Sequence, residues 1–371
     1  MPKLKTPKST RLPADYATAR DTFLNTAKAA GATLKAHPHT LFGPAGEVLA
    51  TDCAWIGPPN PAHLLIISSG THGVEGGAGS LGQTALLDQL PDLLPANTAT
   101  LMIHAVNPWG FAHDRRVNEN NVDLNRNFLP SFQNPPKNPH YLHLHDMVCP
   151  PHWTDETQAA ARAAMRAYAK KHGPAALQAA LSSGQYVEPM GVFYGGTAPE
   201  WSNRTLRNIL DDLPASLQKT IFIDIHTGLG PFGIGELILE IPDTAPMAAL
   251  ARAIFGKGVA STTSGDSVSA ALQGPMDFAV HAALGADKVL FTALEFGTVP
   301  QKHVFAALQA DNWLHMHGDL QGRAAPAIKQ QIRAAFRPDE ISWTQAVTDR
   351  TFEVVNRALT GFSAVWPNEM P

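Results

Sequence analysis

Leu64-Leu65-Ile66-Ile67-Ser68-Ser69-Gly70-Thr71-His72-Gly73-Val74-Glu75-Gly76-Gly77 is the stretch on which the reading of this chain turns. An apolar run stops at small residues, and a histidine and a glutamate follow three positions apart. Such a run, bounded by turn residues, reads as a short buried strand over Leu64–Ser69, with a helix-like segment opening at Gly76. His72 and Glu75 then lie on the turn leaving a strand, where open α/β sheets hold their ligands. One imidazole and one carboxylate at that point could be two ligands of a zinc ion. Alone, His-x-x-Glu is a weak signal, so its weight depends on the rest of the chain.

Outward from this stretch, strands and helices alternate. Upstream, Pro13–Ala30 reads as a helix. Strands follow near Thr33–His37 and Glu47–Ile56, with Gly43-Pro44-Ala45-Gly46 as the turn between them. Downstream come a helix over Gly79–Leu90 and a strand over Thr98–Val106 that ends in the turn signal Asn107-Pro108-Trp109-Gly110. Arg115 to Phe128 is crowded with polar residues and has neither strand nor helix period, so it reads as a structured loop. Pro130–Pro151 reads as a surface excursion, Thr154–Lys171 as a solvated amphipathic helix and Arg204–Leu213 as another helix. Thr220–Ile225 is a buried strand ending in His226-Thr227-Gly228. Glu236–Ile241 (strand), Ala245–Phe255 and Pro275–Leu284 (helices) precede the strand Lys288–Leu294, which stops at Glu295-Phe296-Gly297. Helices fill Val304–His317, Ala324–Phe336 and Ile341–Leu359. No repeat or linker divides two cores. The pattern predicts one α/β domain over residues 1–371, a mixed, mostly parallel twisted sheet with helices on both faces.

Composition narrows the function classes. Of 371 residues, 44% are hydrophobic and 16% charged, which suits a sizeable core. Lys+Arg 28 against Asp+Glu 32 gives a net charge of −4, and no basic block carries interleaved aromatics, so no nucleic-acid partner is expected. The basic start Met1-Pro2-Lys3-Leu4-Lys5-Thr6-Pro7-Lys8 has no apolar core after it to serve as a signal peptide. No apolar stretch is long enough to span a membrane. The two cysteines, Cys53 and Cys149, read as buried free thiols, and a cytoplasmic protein is expected.

His72, His226 and Glu295 each fall at or just past the carboxyl end of an expected strand. Two histidines and a carboxylate around zinc leave a fourth position for water, the mark of a catalytic site. Such an ion lowers the pKa of a water from about 15.7 to about 7 and polarises a carbonyl. A further carboxylate must take the proton and pass it to the leaving amine, and Glu295 suits that task. Arg116 is available as a cationic donor to the developing oxyanion.

With these parts assembled, the chain resembles the M14 zinc carboxypeptidase superfamily, most closely the DUF2817 group of M14-like bacterial proteins. The resemblance rests on His72-x-x-Glu75, Asn107-Pro108-x-Gly110, Arg116-x-Asn118, Val122-Asp123-Leu124-Asn125-Arg126-Asn127-Phe128, Asp224-Ile225-His226-Thr227 and Leu294-Glu295-Phe296-Gly297. It implies a zinc carboxypeptidase-like fold with one Zn2+ on His72, Glu75 and His226. It further implies Glu295 as general base and acid, and Arg116 as the arginine steadying the oxyanion. Asn125 and Arg126 match the pair that grips the substrate's terminal carboxylate, a task for the guanidinium fork. Asp123 matches the carboxylate that orients the first zinc histidine. The implied activity is hydrolysis of an amide next to a free carboxylate, on a small peptide (metallocarboxypeptidase-like) or an acylated amino acid (aspartoacylase/succinylglutamate desuccinylase-like). A non-catalytic protein that binds peptides or cell-wall fragments is the alternative from another class.

One part of the M14 pattern is missing. The carboxypeptidases have a lid tyrosine between the third zinc ligand and the catalytic glutamate. Here Tyr16, Tyr141, Tyr168, Tyr186 and Tyr194 all lie before His226. An insert at about 130–219 is expected to reshape the mouth of the site. Arg126 could instead clamp its loop through backbone carbonyls. His140, His143, His145 and Asp146 read as a polar surface loop, and Cys53 as a small apolar packing residue.

Overall fold

The expected alternation is present, in the order α1 (Tyr16–Ala29), β1 (Thr33–Phe42), β2 (Val48–Ile56), β3 (His63–Ser69), α2 (Gly76–Leu87), β4 (Thr98–His104), α3 (Pro108–Ala112), α4 (Pro139–Val148), α5 (Asp155–His172), α6 (Pro174–Ser182), α7 (Trp201–Asp211), β5 (Lys219–Phe232), β6 (Gly235–Leu239), α8 (Pro246–Phe255), β7 (Val259–Ser261), α9 (Asp277–Leu284), β8 (Val289–Gly297), α10 (Gln301–Met316), α11 (Ala325–Phe336) and α12 (Ile341–Ala364). This computed structural model describes residues 3–8, 11–256, 258–265, 267–364 and 366. Met1 and Pro2 of the basic N-terminal stretch lie outside them. No described helix is long and apolar enough to cross a membrane.

The strands form one eight-stranded sheet in the order β1-β2-β4-β3-β5-β8-β6-β7. β3 runs parallel to β4 and β5, β5 to β8, and β6 to β7; the β1–β2, β2–β4 and β6–β8 pairs are antiparallel. The sheet is therefore mixed and mostly parallel. Its central strands are apolar without interruption because both faces are covered. Leu65 and Ile67 join Ile221, Ile223 and Ile225 in a core with Phe23 of α1, Leu86 of α2, Ile254 of α8 and Phe352 of α12. Leu64, Ile66 and Phe222 point the other way, onto Leu206 of α7 and Val280 of α9. Each such side chain, fully buried, contributes about 1.5–3 kcal/mol.

The chain leaves β3 for β4 on one side and returns with β5 on the other. The strand order thus reverses at β3, the place where open sheets form a crevice beyond their carboxyl ends. Register then decides what meets there: Ser69 pairs with Ile225, and His226 with Glu295.

Several boundaries differ from expectation, each for a local reason. α2 begins at Gly76, because its glycines admit close neighbours before any helix-forming residue appears. Asn107-Pro108-Trp109-Gly110 opens the short helix α3, with the Asn107 side chain capping Gly110 N–H. Pro130–Pro151 is not only an excursion: Asn138 caps α4, whose Tyr141, Leu144 and Val148 are buried, and α4 carries His140, His143 and His145. α6 and the three-residue β7 carry too little periodicity to be read in advance. β5 runs on to Phe232, well past Ile225. Both cysteines are free as expected; Cys53 is buried, but Cys149 only half-buried.

Candidate metal centre and its cavity

His72 and Glu75 ride on a single 3-10 turn, Gly73–Glu75, between β3 and α2. That turn needs its glycine. A Cβ on Gly73 would lie 2.0 Å from the Gly110 carbonyl carbon, so no other residue lets the turn press against α3. Gly73 N–H and Val74 N–H donate to the carbonyls of Arg116 and Arg115, which ties the His-x-x-Glu turn to the arginine segment.

Three ligand-type atoms converge. His72 Nδ1 lies 3.0 Å from Glu75 Oε1, His226 Nδ1 lies 3.1 Å from Glu75 Oε2, and the two Nδ1 atoms are 3.1 Å apart. All three residues are buried, and among the described residues no other group of histidines, cysteines and acids meets the geometry for a metal ion. Zn–N bonds of about 2.0–2.1 Å at tetrahedral angles set donor atoms about 3.3 Å apart, so the triangle fits one such ion.

Each imidazole is held from behind. His72 Nε2 is 3.1 Å from Asp123 Oδ1, and His226 Nε2 is 2.6 Å from Asp224 Oδ2. A carboxylate on Nε2 keeps the proton there and turns Nδ1 toward the site. Asp224 was not singled out from the sequence, although its spacing was the clue: residues two apart in a strand share a face. Ser68 and Thr71 hydroxyls donate to Asp224 in turn.

Arg116 links the two halves, donating from Nη1 to Glu75 Oε1 (2.9 Å) and from Nε to Asp123 Oδ2 (3.1 Å). Its guanidinium and that of Arg126 both pack on the Phe193 ring. Burial opposes charge on Glu75 and Asp123, yet His72 and Arg116 hold both carboxyls below the usual range. Burial likewise opposes the His226 cation, but Asp224 and Glu75 raise it well above the ordinary histidine range. Glu295 differs: burial first, and then the charge of Glu75, push its carboxyl up to about 8. Its Oε1 accepts from Leu229 N–H at 2.9 Å.

The centre faces a cavity of about 980 Å³ lined by His72, His226, Glu295, Arg116, Asn125 and Arg126, while Glu75 and Asp123 of the anticipated residues do not line it. Arg126 donates to the carbonyls of Ser182 and Asn125, and Asn125 Oδ1 accepts from Met276 N–H. The carbonyl clamp foreseen for Arg126 is thus present, on a residue that also lines the cavity. Further lining comes from α5, α6 and α10, and on the sheet from Ile238, Glu240 and Ala293, none of which the sequence motifs marked. None of the five tyrosines lines the cavity. Tyr194 accepts Asp123 N–H through its carbonyl, and Tyr186 Oη donates to the Arg126 carbonyl, so both support the polar loop from outside.

The family model described as Protein of unknown function (DUF2817) matches residues 13–350. No curated protein matches the sequence. Among solved structures, bovine thrombin-activatable fibrinolysis inhibitor in complex with tick carboxypeptidase inhibitor is 11% identical over 93% of this chain and 96% of that one, with a TM-score of 0.49. Murein-tripeptide amidase from Escherichia coli O157 is 17% identical over 77% and 90%, with a TM-score of 0.37. An aspartoacylase family protein from Mesorhizobium loti is 14% identical over 79% and 68%, with a TM-score of 0.38. At these identities and TM-scores none of the likenesses assigns an activity to this chain.

Proposed function

This chain belongs to the DUF2817 family, and on that premise we propose that it is a cytoplasmic zinc-dependent hydrolase of the M14 type that cleaves an amide bond beside a free carboxylate. The observation that carries the reading is the convergence of His72 Nδ1, Glu75 and His226 Nδ1 within 4.8 Å of one another, on the cavity that Glu295 also lines. We take residues 1–371 as one hydrolase domain, with the insert at about 130–219 supplying a wall of that cavity.

His72, Glu75 and His226 would hold the ion, with Asp123 and Asp224 fixing the two rings. Zinc bound there supplies Lewis acidity toward the amide carbonyl and brings the pKa of a water to about 7. Glu295 takes the proton of the attacking water on its carboxylate and returns it to the leaving nitrogen. Arg116, kept in place by Glu75 and Asp123, faces the negative charge that develops on the carbonyl oxygen. Asn125 and Arg126 receive the substrate's carboxylate from the same side of the cavity.

The cavity volume supports a deacylase reading beside the carboxypeptidase one. About 980 Å³ lies within the range of small-molecule sites, which suits an N-acyl amino acid or a di- or tripeptide. The test is a screen of N-acyl amino acids and short peptides with zinc-reconstituted protein, following release of free amine. Glu295→Gln should lower turnover by about 10²–10⁴ while zinc stays bound. Hydrolysis of nothing in the screen, or an undiminished Glu295→Gln rate, would overturn the proposal and leave a binding protein.

A further inference from the structure

The cavity carries more positive charge than its metal centre uses. Among the described residues, Arg116, Arg126, Arg162, Arg166 and Lys302 line it, against two acids, Glu240 and Glu295. The chain as a whole has a net charge of −4, so this concentration runs against its overall balance. Arg116 and Arg126 are already engaged, the first by Glu75 and Asp123, the second by the Ser182 and Asn125 carbonyls. The other three are not.

Arg162 and Arg166 stand four apart on α5 and therefore share a face of that helix. That face is the one turned to the cavity, because Ala161, Met165 and Ala169 line it at the same three- and four-residue spacing. Lys302 reaches the same space from the first turn of α10. The two helices are neighbours there, since Met165 of α5 and Phe305, one turn beyond Lys302, pack against the same apolar cluster around Leu144 and Leu181. All three cations are exposed, whereas His72, His226, Glu295 and Arg126 are buried, so the three mark the rim of the cavity. None of their side chains forms an ion pair or a hydrogen bond with a described residue. Like charges one turn apart weaken a helix, and the acids of α5, Asp155 and Glu156, sit in its first turn, away from the pair. The rim thus holds three cations on two facing helices and no acid among them.

Resting on the hydrolase reading above, we infer that this rim is an anion subsite and that the substrate is an acidic peptide, with Arg162, Arg166 and Lys302 recognising a carboxylate that precedes the cleaved amide. Asn125 and Arg126 take the terminal carboxylate inside, so the acyl part of the substrate runs outward past Glu295 to the rim. A guanidinium fork grips a carboxylate through two N–H groups, and the Lys302 ammonium adds a third charge. These residues select the substrate and touch no reacting atom.

The experiment is calorimetric titration of zinc-loaded Glu295→Gln protein with N-acetyl-Glu-Glu-Leu and N-acetyl-Gln-Gln-Leu, which match in length and shape and differ by two charges. Ion pairs at an exposed rim predict about 3- to 30-fold tighter binding of the glutamate peptide at low salt. The preference should shrink to about twofold or less at about 0.5 M salt, where exposed charges are screened. The triple variant Arg162→Gln/Arg166→Gln/Lys302→Gln should bring the two peptides within about twofold at low salt. Equal affinities with the rim intact, no measurable binding of either peptide, or a preference that survives salt or the triple variant would each overturn the subsite. The first comparison needs no substitution at the rim, so a poorly folded variant does not shield the claim. Release of leucine from the same pair by the zinc-loaded parent separates the two readings. Equal release from both peptides sinks only the subsite, and a binding preference with no leucine from either sinks the hydrolase.

Discussion

Glu75 is a fully buried acid and Glu240 a half-buried one beside the same cavity, and they keep different company. Glu75 accepts from Arg116 and from Thr227 N–H and stands between two imidazoles. Glu240 accepts from the Thr262 hydroxyl and a Leu272 N–H and feels the charge of Arg126 without an ion pair. At Glu75 the neighbouring charges outweigh burial and lower the carboxyl, whereas at Glu240 burial outweighs its neighbours and raises it. Charge at the metal end is compensated within the protein, ready for a cation that stays.

That contrast can be broken by removing a carboxylate from each end, with opposite signs expected. At the compensated end, Asp224→Asn should weaken zinc binding by about 10- to 100-fold, because His226 loses the group that fixes its proton and ring. Competition against a fluorescent chelator measures it, and unchanged affinity in a folded variant would show that Asp224 only packs.

At Asp277, a buried acid whose Oδ1 has no hydrogen-bond partner among the described residues, removal should stabilise the fold. The Asp277 carboxyl is raised from 3.8 to about 7 in the folded protein. Between those values the unfolded chain gives up its proton first, so stability falls as pH rises and the full cost is present above about pH 7. Three units correspond to about 4 kcal/mol, and a buried asparagine amide costs about 1–3 kcal/mol of its own, which leaves a net gain of about 1–2 kcal/mol for Asp277→Asn at pH 8. Thermal unfolding should show a higher Tm for the variant at pH 8, with the gain declining toward pH 4. A variant less stable than the parent at pH 8 would contradict the leftover charge.

The same contrast marks what the sequence made legible. The compensated end is written in short-range spacings, His72-x-x-Glu75, Asp123-x-x-Arg126 and His226 at a strand exit, on strands whose apolar runs announce burial on both faces. Even Asp224 was within reach, since its Asp-x-His spacing puts it on the face of His226. The Glu240 end was not. Glu240 follows the last residue of an ordinary apolar strand, and only the β6–β8 register, set by contacts between distant segments, brings that strand beside Glu295 and the cavity. The roof of the cavity was hidden for a related reason: α5 reads as a solvated helix until α4 and α6 are known to pack beside it. No tyrosine is among the cavity-lining side chains, whose aromatic members include Phe193, Phe305 and Phe336.

Everything proposed for this protein stands on one ion held by His72, Glu75 and His226. The direct test is elemental analysis of the full chain after chelator stripping, zinc re-addition and removal of free metal, beside a His72→Ala/His226→Ala double variant. One zinc per chain in the parent and none in the variant is the predicted result. A folded parent that retains no zinc, or a variant that retains as much, would contradict it.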